Sequence, residues 1–343
     1  MSVLDCAADK IIEKRKALWQ SFYDVTSEQR LMYIVEFCDR DVGGAWPNRD
    51  KQKERIDWSL KLYEYEMEQT LWLNDHKIPF LRNTTGTEIF AEAFGCKVRY
   101  RDDNMPSAIP LVNNSKEAAR IKMPSIYDGA LSQIFEIADT VKEKAGKNAL
   151  MGLPDIQSPM DIAALIWDKN DFFAAMYYDP QAVKELEKMT CQLLIDFLDE
   201  WFKLYGSEFI AHFPRYHMYK GISVSEDEIG SVSTDMFNEF FLEGLNELSD
   251  RYGGIGIHCC ANARHQWDNL KQIKNLKLLN LYIKAEETFE FFENRTALWS
   301  GWCGEGEPFM WDGQIKAKNA HKVICVTAES KEQAIKWVEA AQK

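Results

Sequence analysis

The sequence predicts an α/β protein whose main part is a (β/α)8 TIM barrel, preceded by an irregular, mainly helical N-terminal extension. From about residue 125 onward, short apolar runs alternate with longer amphipathic segments, a pattern typical of parallel strands joined by crossover helices. About eight such units fit within the chain of 343 residues. The chain has neither the glycine-rich dinucleotide motif nor a Walker A loop, which favours a barrel over an open doubly wound sheet.

Residues 1–75 are predicted to form the helical extension packed on the barrel, and residues 76–343 to form the barrel itself. The N-terminal part is rich in charged, aromatic and helix-forming residues. Within it, residues 27–30 are typical of a helix start, and residues 57–73 carry apolar side chains at helical spacing.

The remaining elements follow from the same periodicity. Residues 83–125, rich in Asn, Pro and charge, are predicted to form long connections with short extra strands, one of them at 96–100. Strands are predicted at 78–82, 148–154, 207–213, 221–224, 253–258, 276–283, 296–302 and 322–327. Helices are predicted at 127–144, 159–166, 180–204, 235–252, 264–273 and 331–341.

Composition excludes several classes of function. The formal net charge of -13 argues against a nucleic-acid partner, because binding phosphates needs clustered Lys and Arg. No run of about twenty apolar residues exists, so no membrane span is expected, and the N-terminus does not resemble a signal peptide. The eight Cys are scattered and not spaced as a disulfide framework, so we expect reduced thiols in a cytoplasmic protein. We expect its substrate to be a small molecule.

The strand at 253–258 carries the most informative side chains. It runs into His258, Cys259 and Cys260, and His258 and Cys260 are two positions apart, so they point to the same side. The carboxyl end of a strand is where α/β proteins gather ligands and chemistry. An imidazole and a thiolate converging there make half of a zinc site.

A zinc site needs at least one more ligand. Cys303 follows a predicted strand in a glycine-rich turn, where the backbone can come close to a ligand, although a simple loop thiol fits the pattern equally well. Zinc with an open position would hold a thiol as a reactive thiolate, which is the chemistry of methyl transfer to sulfur. It would alternatively activate water for hydrolysis, with a nearby carboxylate as general base.

Other strand ends supply charged candidates. Glu226 and Asp227 follow the strand at 221–224, and Asp155 follows an earlier strand. Solvated loop carboxylates are the ordinary interpretation of such acids, but at a barrel mouth they would orient a substrate or a metal-bound group. Arg82 ends one predicted strand and Arg215 follows another, and both are candidates for binding substrate carboxylates.

The chain resembles the uroporphyrinogen decarboxylase superfamily over roughly residues 75–343. The segments that carry the likeness are 153–163, 178–183, 221–227, 233–240 and 253–260. This superfamily has a TIM-barrel fold and includes zinc-containing methyltransferases that move methyl groups between corrinoid proteins and thiols. The resemblance therefore implies methyl transfer between a corrinoid, or a methylated small molecule, and a thiol acceptor. A corrinoid protein docking over the barrel mouth would then be a partner.

In the methyltransferase branch a His-x-Cys pair followed much later by a Cys binds zinc, and His258 and Cys260 match that pair. The family's loop near the last strand, which supplies the third ligand, is missing here. The resemblance leaves Cys325 or Glu329 at the last strand and Cys303 at the strand before it. We favour Cys303, because its turn is open and polar.

The decarboxylase branch works without a cofactor and holds porphyrin carboxylates with paired arginines near the first strand. Arg82 stands in about that place, but no second Arg follows closely, and the negative net charge suits a polycarboxylate poorly. The alternative function is thus a cofactor-free decarboxylase, with Arg82 and Arg215 as carboxylate anchors and Asp155 facing the developing charge. A barrel that binds a small molecule or corrinoid without turnover is a third interpretation.

Overall fold

The computed structural model describes residues 3–101, 104–281, 285–293, 297–299 and 317–342. Within these ranges the strands are β1 (Leu31–Glu36), β2 (Phe80–Leu81), β3 (Lys97–Arg101), β4 (Asn104–Ile109), β5 (Leu150–Met151), β6 (Phe209–Ile210), β7 (His217–Met218), β8 (Ile222–Ser225), β9 (Ile255–Cys259), β10 (Leu276–Leu281), β11 (Ala297–Trp299) and β12 (His321–Thr327).

The helices of the same ranges surround the strands. They are α1 (Val3–Phe22), α2 (Gln52–Thr70), α3 (Ile89–Ala93), α4 (Ser115–Ala118), α5 (Ala130–Ala145), α6 (Pro159–Ile166), α7 (Lys169–Tyr178), α8 (Pro180–Tyr205), α9 (Thr234–Met236), α10 (Leu242–Tyr252), α11 (Trp267–Leu270), α12 (Ala285–Phe291) and α13 (Lys331–Ala341). A π-helical turn at Phe237–Phe241 joins α9 to α10. Among them, no helix is both long and apolar enough to cross a membrane.

The main sheet has six parallel strands in the order β1-β12-β11-β10-β9-β8. Three two-stranded sheets accompany it: β2 with β5 in parallel, and the antiparallel pairs β3–β4 and β6–β7. Single parallel bridges, Gly152 to Ile210 and Gln157 to Ser225, join β5 and the chain after it to β6 and β8. The parallel sheet with crossover helices confirms the predicted α/β class.

The predicted closed barrel is not observed, since strand pairing in the described ranges does not form a continuous eight-stranded ring. At β1, side chains replace the missing neighbour: the Tyr33 N–H donates to His76 Nδ1 (2.8 Å) and the Val35 N–H donates to Asp75 Oδ2 (3.0 Å). Two backbone donors of β1 are thus satisfied by side chains of the segment that precedes β2.

The N-terminal region differs from its prediction. It contains the long helices α1 and α2, but the helix start expected at residues 27–30 is wrong, because β1 follows directly. The run Leu31–Glu36 is rich in β-branched and aromatic side chains, which favour a strand. β1 pairs with β12 in parallel from Leu31–Lys322 to Glu36–Thr327, so residues 1–75 contribute a strand to the sheet and do not only pack on it.

Local sequence signals set the start of α6, the helix that contacts the end of β8. The Ser158 side chain accepts the Asp161 N–H at the start of α6, and Pro159 occupies the first turn, so the helix begins where the sequence predicts. The Ser158 N–H also donates to the Ser225 carbonyl (2.7 Å), which ties the start of α6 to the carboxyl end of β8.

Candidate active site

Polar side chains from five neighbouring strands converge at the carboxyl ends of those strands. Asp155 follows β5, His212 follows β6, Asp227 follows β8, His258 is the last residue but one of β9, and Asn280 lies on β10. Since β8, β9 and β10 run in parallel, their ends meet at one edge of the sheet. The structure thus brings together side chains that are up to 125 residues apart in the sequence.

The His258 and Cys260 side chains contact each other, with Nε2 and Sγ 3.0 Å apart. Asn280, the residue opposite His258 on β10, places its amide oxygen against Nδ1 of the imidazole. If Nδ1 carries the proton that this contact requires, Nε2 presents its lone pair towards the thiol. The ring of Phe213 stacks on the imidazole at a centroid distance of 4.8 Å, which fixes the plane of the ring.

This pair fits zinc as two of its ligands. With bond lengths of about 2.1 Å to nitrogen and 2.3 Å to sulfur, a tetrahedral ion separates the two ligand atoms by about 3.6 Å. The observed 3.0 Å would therefore have to widen by about half an ångström, which a small side-chain rotation supplies. Asn280 has the outer-shell position that orients metal-binding imidazoles in proteins.

The surroundings of the thiol favour a cation. Burial raises the pKa of Cys260, and the carboxylates of Asp227, Asp155 and Asp161 raise it further. Without a cation nearby the thiol therefore stays protonated at neutral pH. The neighbouring Cys259 points to the opposite side, is buried, and donates to the Ala261 carbonyl.

The third ligand is not supplied by the described part of the chain, where no group of three His, Cys, Asp or Glu side chains is arranged to hold a metal. Cys303 lies outside the described residues. Cys325 is half-buried on β12, where burial and Glu36 raise its pKa to about 12. Glu329 is exposed at the start of α13, where its N–H donates to Gln333.

Asp155 is a buried acid next to the pair. Its Oδ1 accepts the Gln157 amide N–H (2.6 Å), and its Oδ2 lies 3.5 Å from His212 Nε2. Burial raises its pKa to about 7 and outweighs the hydrogen bond from Gln157 and the nearby His258, which both lower the pKa. Burial lowers the pKa of His212 to about 3, so this imidazole is neutral. Asp155 can therefore gain or lose a proton near neutral pH.

Glu226 and Asp227 have different environments, although they are adjacent. Glu226 is fully buried and faces Asp161 and Ser158, and neither of its carboxyl oxygens makes a well-formed hydrogen bond to a described residue. Burial and then Asp161 raise its pKa far above the ordinary value, so Glu226 holds a proton. Asp227 instead reaches the pair, since its Oδ1 accepts the Cys260 N–H (2.5 Å).

The two arginines line one small cavity with His212, but among the described residues only Arg82 has a carboxylate within ion-pair distance. Arg82 is buried and donates to both oxygens of Glu66 (2.9 and 2.7 Å), and Lys77 contacts the same carboxylate (2.8 Å). The charge of Arg82 is therefore already balanced within the fold. Arg215 is exposed.

Sequence reasoning missed the roles of His212, Phe213, Asn280 and Asp161. A signal existed for two of them: His212 and Asn280 are polar residues at the ends of apolar strand runs, the same position that singled out His258. Asp161 lies on a helix, and its contacts depend on how α6 packs against the end of β8, which no local pattern encodes.

Comparisons with known proteins give the family and the fold. Residues 85–282, more than half of the chain, match the family described as Uroporphyrinogen decarboxylase (URO-D). The fold is similar to a solved structure named "methyltransferase from Methanosarcina mazei", with a TM-score of 0.65 and 12% sequence identity over 96% of this chain and 98% of that one. No curated protein matches the sequence.

Proposed function

Because the chain belongs to the uroporphyrinogen decarboxylase family, we propose that it is a zinc-dependent methyltransferase-like enzyme. It would move a methyl group between a corrinoid, or a methylated small molecule, and a thiol acceptor. The observation that carries this proposal is the contact between His258 Nε2 and Cys260 Sγ, with Asn280 behind the imidazole, at the carboxyl ends of the strands. The name of the similar archaeal structure points to the same reaction class.

His258 and Cys260 would hold the zinc, and Cys303 is our choice for the third ligand, with Cys325 and Glu329 as the alternatives. When bound, zinc would supply a Lewis acid that lowers the pKa of an acceptor thiol and stabilises its thiolate near neutral pH. Methyl transfer then forms a sulfur–carbon bond while the bond between methyl and donor breaks, and its electron pair leaves with the donor.

The protein side chains have three tasks in this reaction. Asn280 keeps the imidazole of His258 in one tautomer, and Asp227 fixes the backbone of Cys260. Asp155, with a pKa of about 7, would accept the proton that the acceptor thiol loses. A corrinoid protein would present its methyl group at this same face, since the candidate groups lie there.

Metal analysis of the purified protein tests the proposal. We expect about one zinc per chain in protein that has never met a chelator, and loss of that zinc in the variant with both His258→Ala and Cys260→Ser. Cys38→Ser is the matched control, because Cys38 is an exposed thiol far from the site in sequence, and it should keep its zinc. A wild-type protein with no more zinc than the double variant would refute the proposal.

The cavity lined by Arg82 and Arg215 supports a second candidate, a cofactor-free decarboxylase of a carboxylated substrate. In that case Arg215→Ala should raise KM for the carboxylated substrate, and chelators should leave the rate unchanged. Arg82→Ala would not distinguish the two functions, because it also removes a buried ion pair. Chelator-sensitive activity that survives Arg215→Ala would exclude the decarboxylase.

A further inference from the structure

Asp161 accepts hydrogen bonds from the turn that follows β8. It lies in the first turn of α6 and is 4 % exposed. Its Oδ2 accepts the Asp227 N–H (2.8 Å) and its Oδ1 accepts the Glu228 N–H (3.0 Å). A carboxyl group whose two oxygens accept successive backbone N–H groups holds those peptide groups in one orientation.

The turn held by Asp161 contacts the backbone of both members of the His–Cys pair. The Glu226 N–H donates to the His258 carbonyl (2.8 Å), and Asp227 Oδ1 accepts the Cys260 N–H (2.5 Å). A shift of the turn would therefore move the peptide groups that set where the imidazole and the thiol point. In the described part of the chain Asp161 makes no hydrogen bond to either side chain, although its charge acts on the Cys260 thiol.

The base of Asp161 is rigid. Its own N–H donates to Ser158 Oγ (3.0 Å), and the Ser158 N–H donates to the Ser225 carbonyl (2.7 Å). The Ser225 N–H in turn donates to the Ile156 carbonyl (2.8 Å). The chain just before Asp161 is thus fastened to the end of β8 at Ile156 and Ser158, so the backbone that carries the carboxyl group is held in place.

We propose that Asp161 is a positioning residue that sets the separation of His258 and Cys260 through the turn 226–228. The effect of Asp161 on metal binding rests on the proposed function, whereas its effect on the Cys260 backbone does not. Two hydrogen bonds connect Asp161 to Cys260: the Asp227 N–H donates to Asp161, and the Cys260 N–H donates to the Asp227 side chain. Outer-shell partners of this kind change metal affinity because they fix ligand geometry.

Asp161→Asn tests this with little change of volume, because the amide can accept one of the two N–H groups but directs its own N–H towards the other. We expect zinc affinity, measured by chelator competition, to fall about 10- to 100-fold. In metal-free protein, amide hydrogen exchange should become at least about tenfold faster in peptides covering both 226–230 and 258–262. Asp171→Asn is the matched control, since Asp171 also accepts two hydrogen bonds, from Trp167 and Tyr178, but in α7.

A purely structural role for Asp161 gives a different result. Faster exchange confined to 226–230, with zinc affinity within twofold of wild type, would overturn the proposal. If Asp161→Asn does not fold, Asp227→Ala breaks the second bond of the path, and unchanged exchange at 258–262 in that variant would overturn it equally. If wild-type protein binds no zinc, the proposed function fails, while the exchange data alone still decide the role of Asp161.

Discussion

Replacing Glu66 by Gln removes the negative charge at the centre of a buried cluster. Glu66 is 2 % exposed, and its carboxylate contacts Arg82 (2.7 Å) and Lys77 (2.8 Å), both of which are largely removed from solvent. The substitution keeps the volume of the side chain but leaves the buried Arg82 without its carboxylate partner, while Lys77 keeps only Glu36 (2.6 Å). Such a loss is far more costly in the interior than at the surface.

The lowered pKa of Glu66 gives the size of the expected loss in the free energy of unfolding. Burial alone would raise it, but Arg82 and Lys77 outweigh burial and lower the pKa from 4.5 to about 2. At about 1.4 kcal/mol per pKa unit, this difference corresponds to about 3 kcal/mol of the free energy of unfolding. The value agrees with the 3–5 kcal/mol, roughly, that removal of one partner of a buried ion pair typically costs.

The contribution of Glu66 to stability should decrease as the pH falls. A carboxyl group whose pKa is depressed in the folded protein stabilises it above the unfolded pKa, and this contribution is lost as the pH falls through the folded pKa. The contribution of Glu66 should therefore be complete above about pH 4.5 and disappear towards pH 2. Glu66→Gln should lack this part of the acid transition.

Urea unfolding followed by tryptophan fluorescence measures the effect at pH 7. We expect Glu66→Gln to be about 3 kcal/mol less stable than wild type. Glu68→Gln is the matched control, because Glu68 forms an ion pair with Arg40 in which both side chains are more than half exposed, and it should show no measurable change. A Glu66→Gln protein as stable as the control would refute the view that Arg82 is neutralised within the fold and would return it to the candidate substrate anchors.

Two further predictions concern the site itself. Burial raises the pKa of Asp155 from 3.8 to about 7, so its contribution to stability is lost as the pH rises through this window. Asp155→Asn should remove this share of the fall, while Asp161, Glu88 and Glu187, whose pKa values burial also raises to about 7, keep theirs. Thermal unfolding at pH 5 and pH 8 should therefore give more similar Tm values than in wild type, and an unchanged difference would count against a buried, proton-holding Asp155. Under the proposed function, the same variant should flatten the acid limb of the rate profile. A Cβ at Gly230 would lie 2.6 Å from the Ala261 Cβ, next to Cys260, so Gly230→Ala should displace this turn and weaken zinc binding in chelator competition. Gly44→Ala, where a Cβ meets nothing within 4 Å, is its control, and equal affinity of the two variants would contradict the packing argument.

Local sequence determined most of the helices. The start of α6 follows from its Ser-Pro cap and the extent of α8 from its amphipathic pattern, because both signals depend on neighbours three or four residues away. The lengths of the strands follow less directly from the sequence. β2, β5 and β6 lie inside predicted strands but have only two residues each, and β1 is not predicted, because a strand depends on partners far away in the chain.

The sequence by itself placed His258 and Cys260 on one side of a strand end, since alternation along a strand is a local property. Only the tertiary structure decided what surrounds them. Asn280 reaches the imidazole through the register of β9 and β10, and Asp161 reaches Cys260 through the packing of α6 against β8. Likewise Glu66, on α2, determines that Arg82 is paired, because pairing depends on distances between elements and no spacing along the chain encodes them.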